Sequence, residues 1–333
     1  MVVDRDQRLT GTIHRATDLP DCYHSGVGIR PFLKWVGGKR QLLPVLRRFY
    51  PTTIQRYFEP FLGSGAVFFD LAARGLLANG GAVLSDDNAD LIGCYQRVQR
   101  SLSEVIAALE PLAADHAARG RAAYLDVRDH RFNPLRARWR ADGAHVDAYS
   151  IELAAMMIYL NRTGYNGLFR VNASGEFNVP PGRYESVRVV NRPRLERAAA
   201  LLAAPGVNIE HADFDAVTAT AHPGDFVYLD PPYAPLSRTA NFRAYTGGGF
   251  TEAQQTRVQR LVIDLASRGV NVLLSNSVAP SISALYEDNR EVACAGLRAW
   301  RVPARRSVNS RPDRRGLVEE LIVSNLEPRA AEQ

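Results

Sequence analysis

The sequence has few of the residues that build disulfide scaffolds, metal sites or membrane spans. Its three cysteines, Cys22, Cys94 and Cys294, are far apart and form no CxxC pair. This spacing argues against a disulfide framework or a zinc site and predicts reduced thiols in a cytoplasm. The seven histidines lack the spacing of metal ligands, so we expect no metal. No run of about 18 apolar residues occurs, and residues 1–30 lack the apolar segment of a secretory signal.

Lysine is the scarce basic residue. Only two of the 41 basic residues are lysines, Lys34 and Lys39, and the rest are arginines. Both lie in one segment, FLKWVGGK, at residues 32–39. A general bias toward arginine does not explain why the two lysines lie together, although chance placement remains an alternative. Because a compact ammonium fits where a planar guanidinium does not, this segment is a candidate site.

The net charge of +6 favours a polyanionic partner. Seven arginines lie within residues 298–315: Arg298, Arg301, Arg305, Arg306, Arg311, Arg314 and Arg315. Such a run is typical of a phosphate-binding segment and equally of a solvated, arginine-rich loop. The charge pattern alone leaves both alternatives open.

A strand, a glycine turn, a helix and a second strand open the predicted fold. We predict the first strand over residues 56–60, the turn FLGSG at 61–65, the helix over 66–73 and the second strand over 82–86. This order is typical of a doubly wound nucleotide-binding sheet. Later strands are predicted at residues 207–211, 225–229, 270–274 and 319–323, with a helix at 251–267. The fold class is therefore α/β with a parallel sheet.

Helices and a polar loop separate the two groups of strands. We predict helices over residues 91–112, 117–130 and 146–160, followed by a Gly/Asn-rich loop at 163–184. The sequence therefore predicts a helical module, residues 89–191, inserted into an α/β domain made of residues 30–88 and 192–327. Residues 1–29 are expected to form a flexible extension and residues 328–333 a tail, and we assign neither a function.

The glycine turn and Asp86 together indicate an adenosine-containing cofactor. Asp86 lies 21 residues beyond Gly65, at the end of the next predicted strand. A carboxylate at this place accepts hydrogen bonds from ribose hydroxyls. Position 68 is Phe instead of the third glycine of GxGxxG, which disfavours NAD and leaves room for a smaller cofactor such as S-adenosylmethionine. The alternative is a structural turn followed by a surface aspartate.

The tetrapeptide Asp230-Pro231-Pro232-Tyr233 follows an apolar strand, so it lies at the carboxyl edge of the predicted sheet, where ligands bind. The prolines fix φ and remove two backbone donors, which leaves rigid carbonyl acceptors. The Asp230 carboxylate and the Pro231 carbonyl can each accept one N–H of a planar amino group. This pulls the nitrogen lone pair out of conjugation and directs it at an electrophilic methyl group. Tyr233 offers a ring face for a base. A purely structural turn is the alternative.

Together these motifs resemble the Dam-type DNA adenine-N6 methyltransferases, class alpha or D12 type, from about residue 31 to residue 326. The segments that carry the resemblance are FLKWVGGKRQLLP, EPFLGSGAVF, LSDDNADLI, YLNRTGYNGLFRVNASGEFNVPPGRY, VYLDPPYAPLSRTANFRAY and RRSVNSRPDRRG. The resemblance implies a Rossmann-like S-adenosylmethionine-dependent methyltransferase sheet with an inserted target-recognition domain. It also implies direct methyl transfer, without a metal, to an adenine flipped out of duplex DNA, in a GATC-type target.

The resemblance assigns roles residue by residue. It implies that catalysis rests on Asp230, Pro231, Pro232 and Tyr233. The cofactor contacts that it implies are Trp35, Lys39, Phe61, Gly63, Gly65, Asp86, Asp213, Phe214 and Asp230. The DNA contacts that we expect are Lys34, Tyr165, Asn166, Leu168, Arg170, Arg183 and Tyr184, with Arg305, Arg306, Arg311 and Arg314 of the basic run. Arg170 is the candidate reader of guanine, because arginine can donate two bonds to guanine O6 and N7.

Three positions depart from the family pattern, and all lie in the recognition loop. Thr163, Val171 and Pro181 stand where the family commonly has an aromatic residue. These changes leave the catalytic motif intact but bear on DNA affinity and on the exact target. On sequence alone, a Gly/Asn-rich hairpin without a recognition role is the alternative for residues 163–184.

Other functions remain open alternatives. A cytosine-N4 or protein-glutamine methyltransferase uses a related tetrapeptide but usually begins it with Ser or Asn. A non-catalytic DNA-binding regulator could share the fold, and a nicotinamide dehydrogenase would explain only the glycine turn. For the adenine enzyme we expect a monomer acting on nucleoid DNA in the cytoplasm, with a cognate restriction endonuclease as a candidate partner.

Overall fold

A seven-stranded sheet forms the centre of the protein. The structure is a computed structural model that describes residues 29–77, 80–184, 186–233, 250–305 and 317–330. The strands are β1 (Tyr57–Glu59), β2 (Ala82–Asp86), β3 (Val207–His211), β4 (Phe226–Leu229), β5 (Asn271–Ser277), β6 (Arg298–Arg305) and β7 (Leu317–Ser324). They lie in the order β3-β2-β1-β4-β5-β7-β6. The chain leaves β1 toward β2 on one side and later adds β4 on the other side, so a crevice opens at the carboxyl ends of β1 and β4.

Helices surround the sheet and make up much of the chain between β2 and β3. Among the described residues they are α1 (Leu43–Leu46), α2 (Ala66–Ala73), α3 (Ala89–Arg100), α4 (Leu102–Arg119), α5 (Arg121–Asp126), α6 (Asn133–Ala141), α7 (Ile151–Thr163), α8 (Arg192–Leu202), α9 (Val217–Thr220), α10 (Glu252–Ser267), α11 (Pro280–Tyr286) and α12 (Arg290–Cys294). A π-helical segment, Val127–Phe132, joins α5 to α6. None of these helices is long and apolar enough to cross a membrane.

Alternate residues of the central strands enter two different hydrophobic cores. Tyr57, Phe226 and Tyr228 belong to the core that continues into α2, α3, α4 and α7. Phe58, Val227 and Leu229 belong to the core formed with α10, α11 and α12. Because side chains of a strand point alternately to opposite faces, both faces of the sheet are covered. The predicted doubly wound α/β fold is confirmed.

The sheet is not parallel throughout, and this part of the prediction is wrong. Strands β1 to β5 pair in parallel, but β7 runs antiparallel to both β5 and β6. A parallel connection needs a crossover of about a dozen residues or more, usually a helix. Strands β6 and β7, which follow each other in the chain, instead pair directly as antiparallel neighbours, from Arg298 with Ser324 to Arg305 with Leu317. The first part of the arginine run, Arg298–Arg305, is strand β6 instead of a loop.

Helix α3 links the sheet to the predicted helical insertion. Gln96 Nε2 donates to the Ile209 carbonyl at 2.9 Å, and Gln99 Nε2 donates to the Val207 carbonyl at 3.2 Å, so α3 is bonded to β3. Cys94, on the same helix, lies 3.9 Å from the Ala154 carbonyl in α7. The predicted domain boundaries, including the one before residue 89, stay predictions.

Candidate active site

The Asp230 turn directly follows β4 and is held by two cationic or polar donors. Lys39 Nζ lies 2.6 Å from Asp230 Oδ1, and Ser275 Oγ, on β5, donates to the same oxygen at 3.1 Å. Burial raises the pKa of Asp230 to about 6, although the Lys39 ammonium acts in the opposite direction. The structure therefore brings together two predicted site residues that are far apart in the chain.

The buried Lys39 explains why this position carries a lysine. Its side chain is 5% exposed, and Nζ also donates to the Gly37 carbonyl at 2.8 Å. The same Nζ lies 4.4 Å from the centre of the Tyr233 ring, a cation–π contact. A compact ammonium suits a small buried space with partners on three sides better than a planar guanidinium does. Tyr233 is fixed at its other end, because its hydroxyl donates to Glu320 Oε2 on β7 at 2.7 Å.

The glycine turn lies between β1 and α2 and is bonded to Asp86. The Gly63 N–H donates to Asp86 Oδ2 at 3.1 Å, and the Asn88 N–H donates to Oδ1 at 3.0 Å. Burial raises the pKa of Asp86 to about 7 against these two bonds. Gly63 has φ +47°, and a Cβ there would lie 2.9 Å from Trp35 Cδ1. The turn therefore requires glycine: its α-carbon packs against the Trp35 ring, and its N–H bonds the Asp86 carboxylate that we predicted to hold a ribose.

An aromatic cluster lies next to this turn, and it includes Phe61 and Phe214, two of the cofactor contacts that the resemblance implies. Phe61 and Phe214 stack with ring centres 5.2 Å apart, and Phe250 packs edge-on against Phe61 at 5.9 Å. The Arg257 guanidinium lies 4.7 Å from the centre of the Phe214 ring and pairs with Asp213 at 3.1 Å. The predicted Asp213-Phe214 pair is thus held by Arg257 of α10, whose role the sequence did not reveal.

The recognition loop folds back on the segment that contains Lys34. Asn161 Nδ2 donates to the carbonyls of Lys34 and Gly167, at 2.7 and 3.1 Å, and its Oδ1 accepts from the Lys34 N–H at 2.8 Å. Lys34 Nζ lies 4.5 Å from the centre of the Tyr184 ring. Tyr165 and Tyr184 are 41% and 40% exposed, unusually high values for large aromatic side chains. The predicted residues Lys34, Tyr165 and Tyr184 therefore lie on one solvent-exposed surface, beside the segment FLKWVGGK at residues 32–39.

Arg170 lies in the same loop but is bonded within it. Its Nε donates to Asn178 Oδ1 at 2.8 Å, and its Nη2 donates to the Asn178 carbonyl at 3.3 Å. Asn166 adopts a left-handed conformation with φ +54°, Leu168 is half-buried against the core, and Arg183 is exposed. These two bonds hold the Arg170 side chain against its own hairpin, so contact with a guanine would compete with them.

Part of the basic run is paired with carboxylates. Arg298 forms an ion pair with Glu327, and Arg301 Nε donates to Glu287 Oε1 at 2.7 Å. Arg305 ends β6, and its side chain lies outside the described part of the structure, as do all of Arg306, Arg311 and Arg314. Within the described ranges, no group of three or more His, Cys, Asp or Glu side chains could hold a metal ion.

Besides Arg257, four polar residues at this site were not predicted from the sequence: Glu59, Gln255, Ser275 and Glu320. Glu59 Oε2 accepts from the Tyr57 hydroxyl at 2.8 Å and from the Phe68 N–H at 3.0 Å, and burial raises its pKa to about 8. A usable signal existed for Ser275, which follows the apolar start of a strand and so marks the carboxyl edge of the sheet. Gln255 had no comparable signal, because it looks like any polar residue on a helix.

Comparison with known proteins identifies the family. The family model of the D12 class N6 adenine-specific DNA methyltransferases matches residues 35–299. The chain belongs to this family. It is 36% identical over 299 residues to a Type II methyltransferase of Lactococcus lactis subsp. cremoris, M1.LlaDCHI, with 90% of this chain and 96% of the relative covered. It is 34% identical over 294 residues to the DNA adenine methylase of Escherichia coli K12, with 88% and 94% covered.

An archaeal relative extends this similarity. The chain is 35% identical over 309 residues to a Type II methyltransferase of Methanocaldococcus jannaschii, M.MjaIII, with 89% of this chain and 99% of the relative covered. The predicted resemblance and enzyme class are confirmed: the protein is an adenine-specific DNA methyltransferase. Membership in the D12 class excludes the dehydrogenase alternative and favours adenine N6 over cytosine N4.

A D12 class methyltransferase uses a methyl donor of the S-adenosylmethionine type and acts on DNA. The described residues fit the adenosine part of such a donor. The turn at Gly63 has no room for a side chain, the Asp86 carboxylate is bonded to its N–H, and the stacked Phe61 and Phe214 rings provide apolar aromatic area next to it. These are the features that bring a backbone close to a nucleotide and offer acceptors to a ribose.

Proposed function

We propose that this enzyme methylates N6 of an adenine that is flipped out of duplex DNA, within a GATC-type target. S-adenosylmethionine supplies the electrophilic methyl group. The observation that carries the proposal is the Asp230 carboxylate, held by Lys39 and Ser275 at the carboxyl edge of the sheet. The proposed donor-binding residues are Trp35, Lys39, Phe61, Gly63, Gly65, Asp86, Asp213, Phe214 and Asp230.

Asp230 and Pro231 hold the amine in this mechanism. Both described donors bond Asp230 Oδ1, so Oδ2 can accept one N–H of the adenine amino group while the Pro231 carbonyl accepts the other. Held in this way, the nitrogen lone pair would leave conjugation with the ring and face the methyl group that the donor would supply, with S-adenosylhomocysteine as the product that departs. The proton that N6 loses can pass to Asp230, whose pKa of about 6 makes it a competent acceptor near neutral pH.

Tyr233 and Lys39 prepare the place of the flipped base. The Tyr233 ring is held by Glu320 at its hydroxyl and by Lys39 at its face, so it needs little reorganisation when a base stacks against it. Unstacking an adenine costs a few kcal/mol, which this contact and the bonds to Asp230 offset. The Lys39 ammonium keeps Asp230 ionised, the form that accepts a hydrogen bond.

The solvent-exposed surface formed by Lys34, Tyr165 and Tyr184 is the proposed DNA contact. Its charge and exposed aromatic rings suit a nucleic acid, and Asn161 ties it to the donor-binding segment. Arg170 is the proposed guanine reader after it leaves Asn178. Asn166, Leu168 and Arg183 are proposed base or backbone contacts, and Arg305, Arg306, Arg311 and Arg314 are proposed phosphate contacts.

Further parts of the proposal concern the cellular setting. We propose a monomer acting in the cytoplasm on nucleoid DNA, because methyl transfer to one strand at a time requires no symmetry. The Type II names of two relatives motivate a search for a cognate restriction endonuclease. The proposed architecture is a catalytic domain of residues 30–88 and 192–327 with a recognition domain of residues 89–191.

Restriction analysis tests the target. Plasmid DNA co-expressed with the enzyme is digested with endonucleases that cut GATC only when it is unmethylated or only when its adenine is methylated. We expect resistance to the first kind and cleavage by the second. Labelled methyl transfer to duplexes with adenine or cytosine as the only candidate base provides the control. Label in adenine with GATC still cleavable by the first kind would show a different target.

A further inference from the structure

A relay of buried side-chain amides lies beneath the Asp230 turn. Gln255, in the first turn of α10, donates from Nε2 to the Pro232 carbonyl oxygen at 2.8 Å. Gln255 Oε1 accepts from Asn276 Nδ2 at 3.0 Å, and Asn276 Oδ1 accepts from the Ser277 N–H at 2.8 Å. Gln255 is 2% exposed and Asn276 is fully buried. Each amide of the relay therefore has a defined partner in a place shielded from water.

The relay sets the direction of the Gln255 amide. Because Asn276 Oδ1 is bonded to a backbone N–H, its Nδ2 must face Gln255. Only the oxygen of Gln255 can accept from that group, so its nitrogen is left to face Pro232. The N-terminus of α10, the end of the helix at which Gln255 lies, is itself fixed, because Thr251 and Gln254 form a reciprocal capping box there.

The composition of the turn explains why such a donor is needed. Pro231 and Pro232 have no N–H, so the middle of the turn can be anchored to other elements only through its carbonyls. The two ends of the turn have other anchors, Ser275 for Asp230 and Glu320 for Tyr233. Gln255 thus supplies the anchor at the middle.

We infer that Gln255 is a positioning residue for methyl transfer, oriented by Asn276. By holding the Pro232 carbonyl, Gln255 fixes the plane of the peptide between Pro232 and Tyr233. This peptide follows the Pro231 carbonyl directly and sets the direction of the backbone at Tyr233. This inference rests on the proposed role of Asp230 and Pro231 in holding the target amine. A shift of about 1 Å in reacting groups can lower a rate by two orders of magnitude, so loss of this anchor affects turnover more than binding.

The substitution Gln255→Glu tests the role. Glutamate keeps the acceptor for Asn276 but loses the donor, and places a carboxylate against the Pro232 carbonyl. We expect kcat to fall by roughly tenfold or more, with KM for S-adenosylmethionine and for DNA changed by less than about twofold. Rates are expressed per mole of enzyme that binds S-adenosylmethionine in calorimetry, so that unfolded protein does not count.

The matched control is Gln259→Glu. Gln259 lies one turn further along α10, is also buried, and also donates from Nε2 to a backbone carbonyl, that of Leu285 in α11. It therefore reports the general cost of a buried glutamate on this helix. We expect its kcat to stay within about twofold of the wild type, even where the melting temperature falls as far as in Gln255→Glu.

Asn276→Asp provides a second route to the same defect. Aspartate keeps an acceptor for the Ser277 N–H but has no donor for Gln255 Oε1. Its carboxylate instead attracts Gln255 Nε2 away from Pro232, so we expect a fall in kcat in the same direction as for Gln255→Glu. An unchanged kcat in both variants, or an equal loss in Gln259→Glu, would overturn the inference.

Asp230→Ala separates this inference from the proposed function. If Asp230→Ala keeps its turnover, the amine-holding role fails whatever Gln255 does. If Asp230→Ala is inactive while Gln255→Glu and Asn276→Asp retain wild-type kcat, the proposed function stands and only the positioning role fails.

Discussion

The Asp230 turn and the recognition loop differ in how their functional side chains are held. Asp230 and Tyr233 each bond to partners on β5, β7 or the Lys39 segment, and their surroundings are buried. In the recognition loop, Tyr165 and Tyr184 are about two-fifths exposed, and Arg170 bonds to its own hairpin. The groups proposed for catalysis are thus preorganised, whereas the groups proposed to read DNA must rearrange or find their partners in the duplex.

The largest expected effect concerns the Asp230 turn, the more rigidly held of the two regions. Asp230→Ala removes the proposed acceptor of the target amine, and we expect kcat to fall by about 10³-fold while DNA binding stays measurable. Single-turnover transfer of labelled methyl groups and DNA titration measure the two quantities. Asp264→Ala, an exposed carboxylate on α10 that pairs with Arg268, is the control. Substantial turnover by Asp230→Ala would contradict the assigned role.

Lys39→Met tests the charge interaction between Lys39 and Asp230 in the Asp230 turn. In the proposed mechanism the ionised Asp230 accepts the amine, so activity should be lost as the pH falls through its raised pKa of about 6. The Lys39 ammonium lowers that pKa, so its removal should move the acidic limb of the kcat profile to higher pH. We also expect kcat at neutral pH to fall by roughly tenfold or more, as the carboxyl becomes protonated. An acidic limb at the wild-type pH would argue against this coupling.

Arg170→Ala tests the recognition loop, the region whose side chains are proposed to read DNA. We expect discrimination against the wrong base at the guanine position to fall by about 1–3 kcal/mol, with kcat on the preferred duplex far less affected. Asn178→Ala frees the guanidinium without removing it, so it should keep the discrimination that Arg170→Ala loses. Competition between duplexes that differ at one base pair measures both variants. Unchanged discrimination in Arg170→Ala would assign base reading to another residue.

The smallest expected effect concerns the arginines of the basic run. Replacing Arg305, Arg306, Arg311 or Arg314 should weaken DNA binding and make the slope of log K against log salt about 0.9 less negative for each lost phosphate contact. Arg298→Ala is the matched control, because Arg298 already pairs with Glu327. Equal slopes for all these variants and the wild type would remove the phosphate-binding interpretation of the run.

Local patterns in the sequence were enough for much of the fold and for the two turns that carry the candidate site. The glycine turn and the strand before Asp230 were predictable because apolar runs and glycine or proline act over a few residues. The unusual placement of Lys34 and Lys39 marked a segment that does lie against Asp230 and Tyr184. The direction of β7 was not predictable in this way, since it depends on which strand it meets.

By itself, the sequence determined the chemistry available at the Asp230 turn: an acidic acceptor, two prolines without donors and an aromatic ring at the end of a strand. Only the tertiary structure decided what surrounds them, namely Lys39, Ser275, Gln255 and Glu320. The reason is physical. Backbone preferences act between near neighbours, whereas these partners come from distant segments whose meeting depends on strand order, register and the packing of α10 against the sheet.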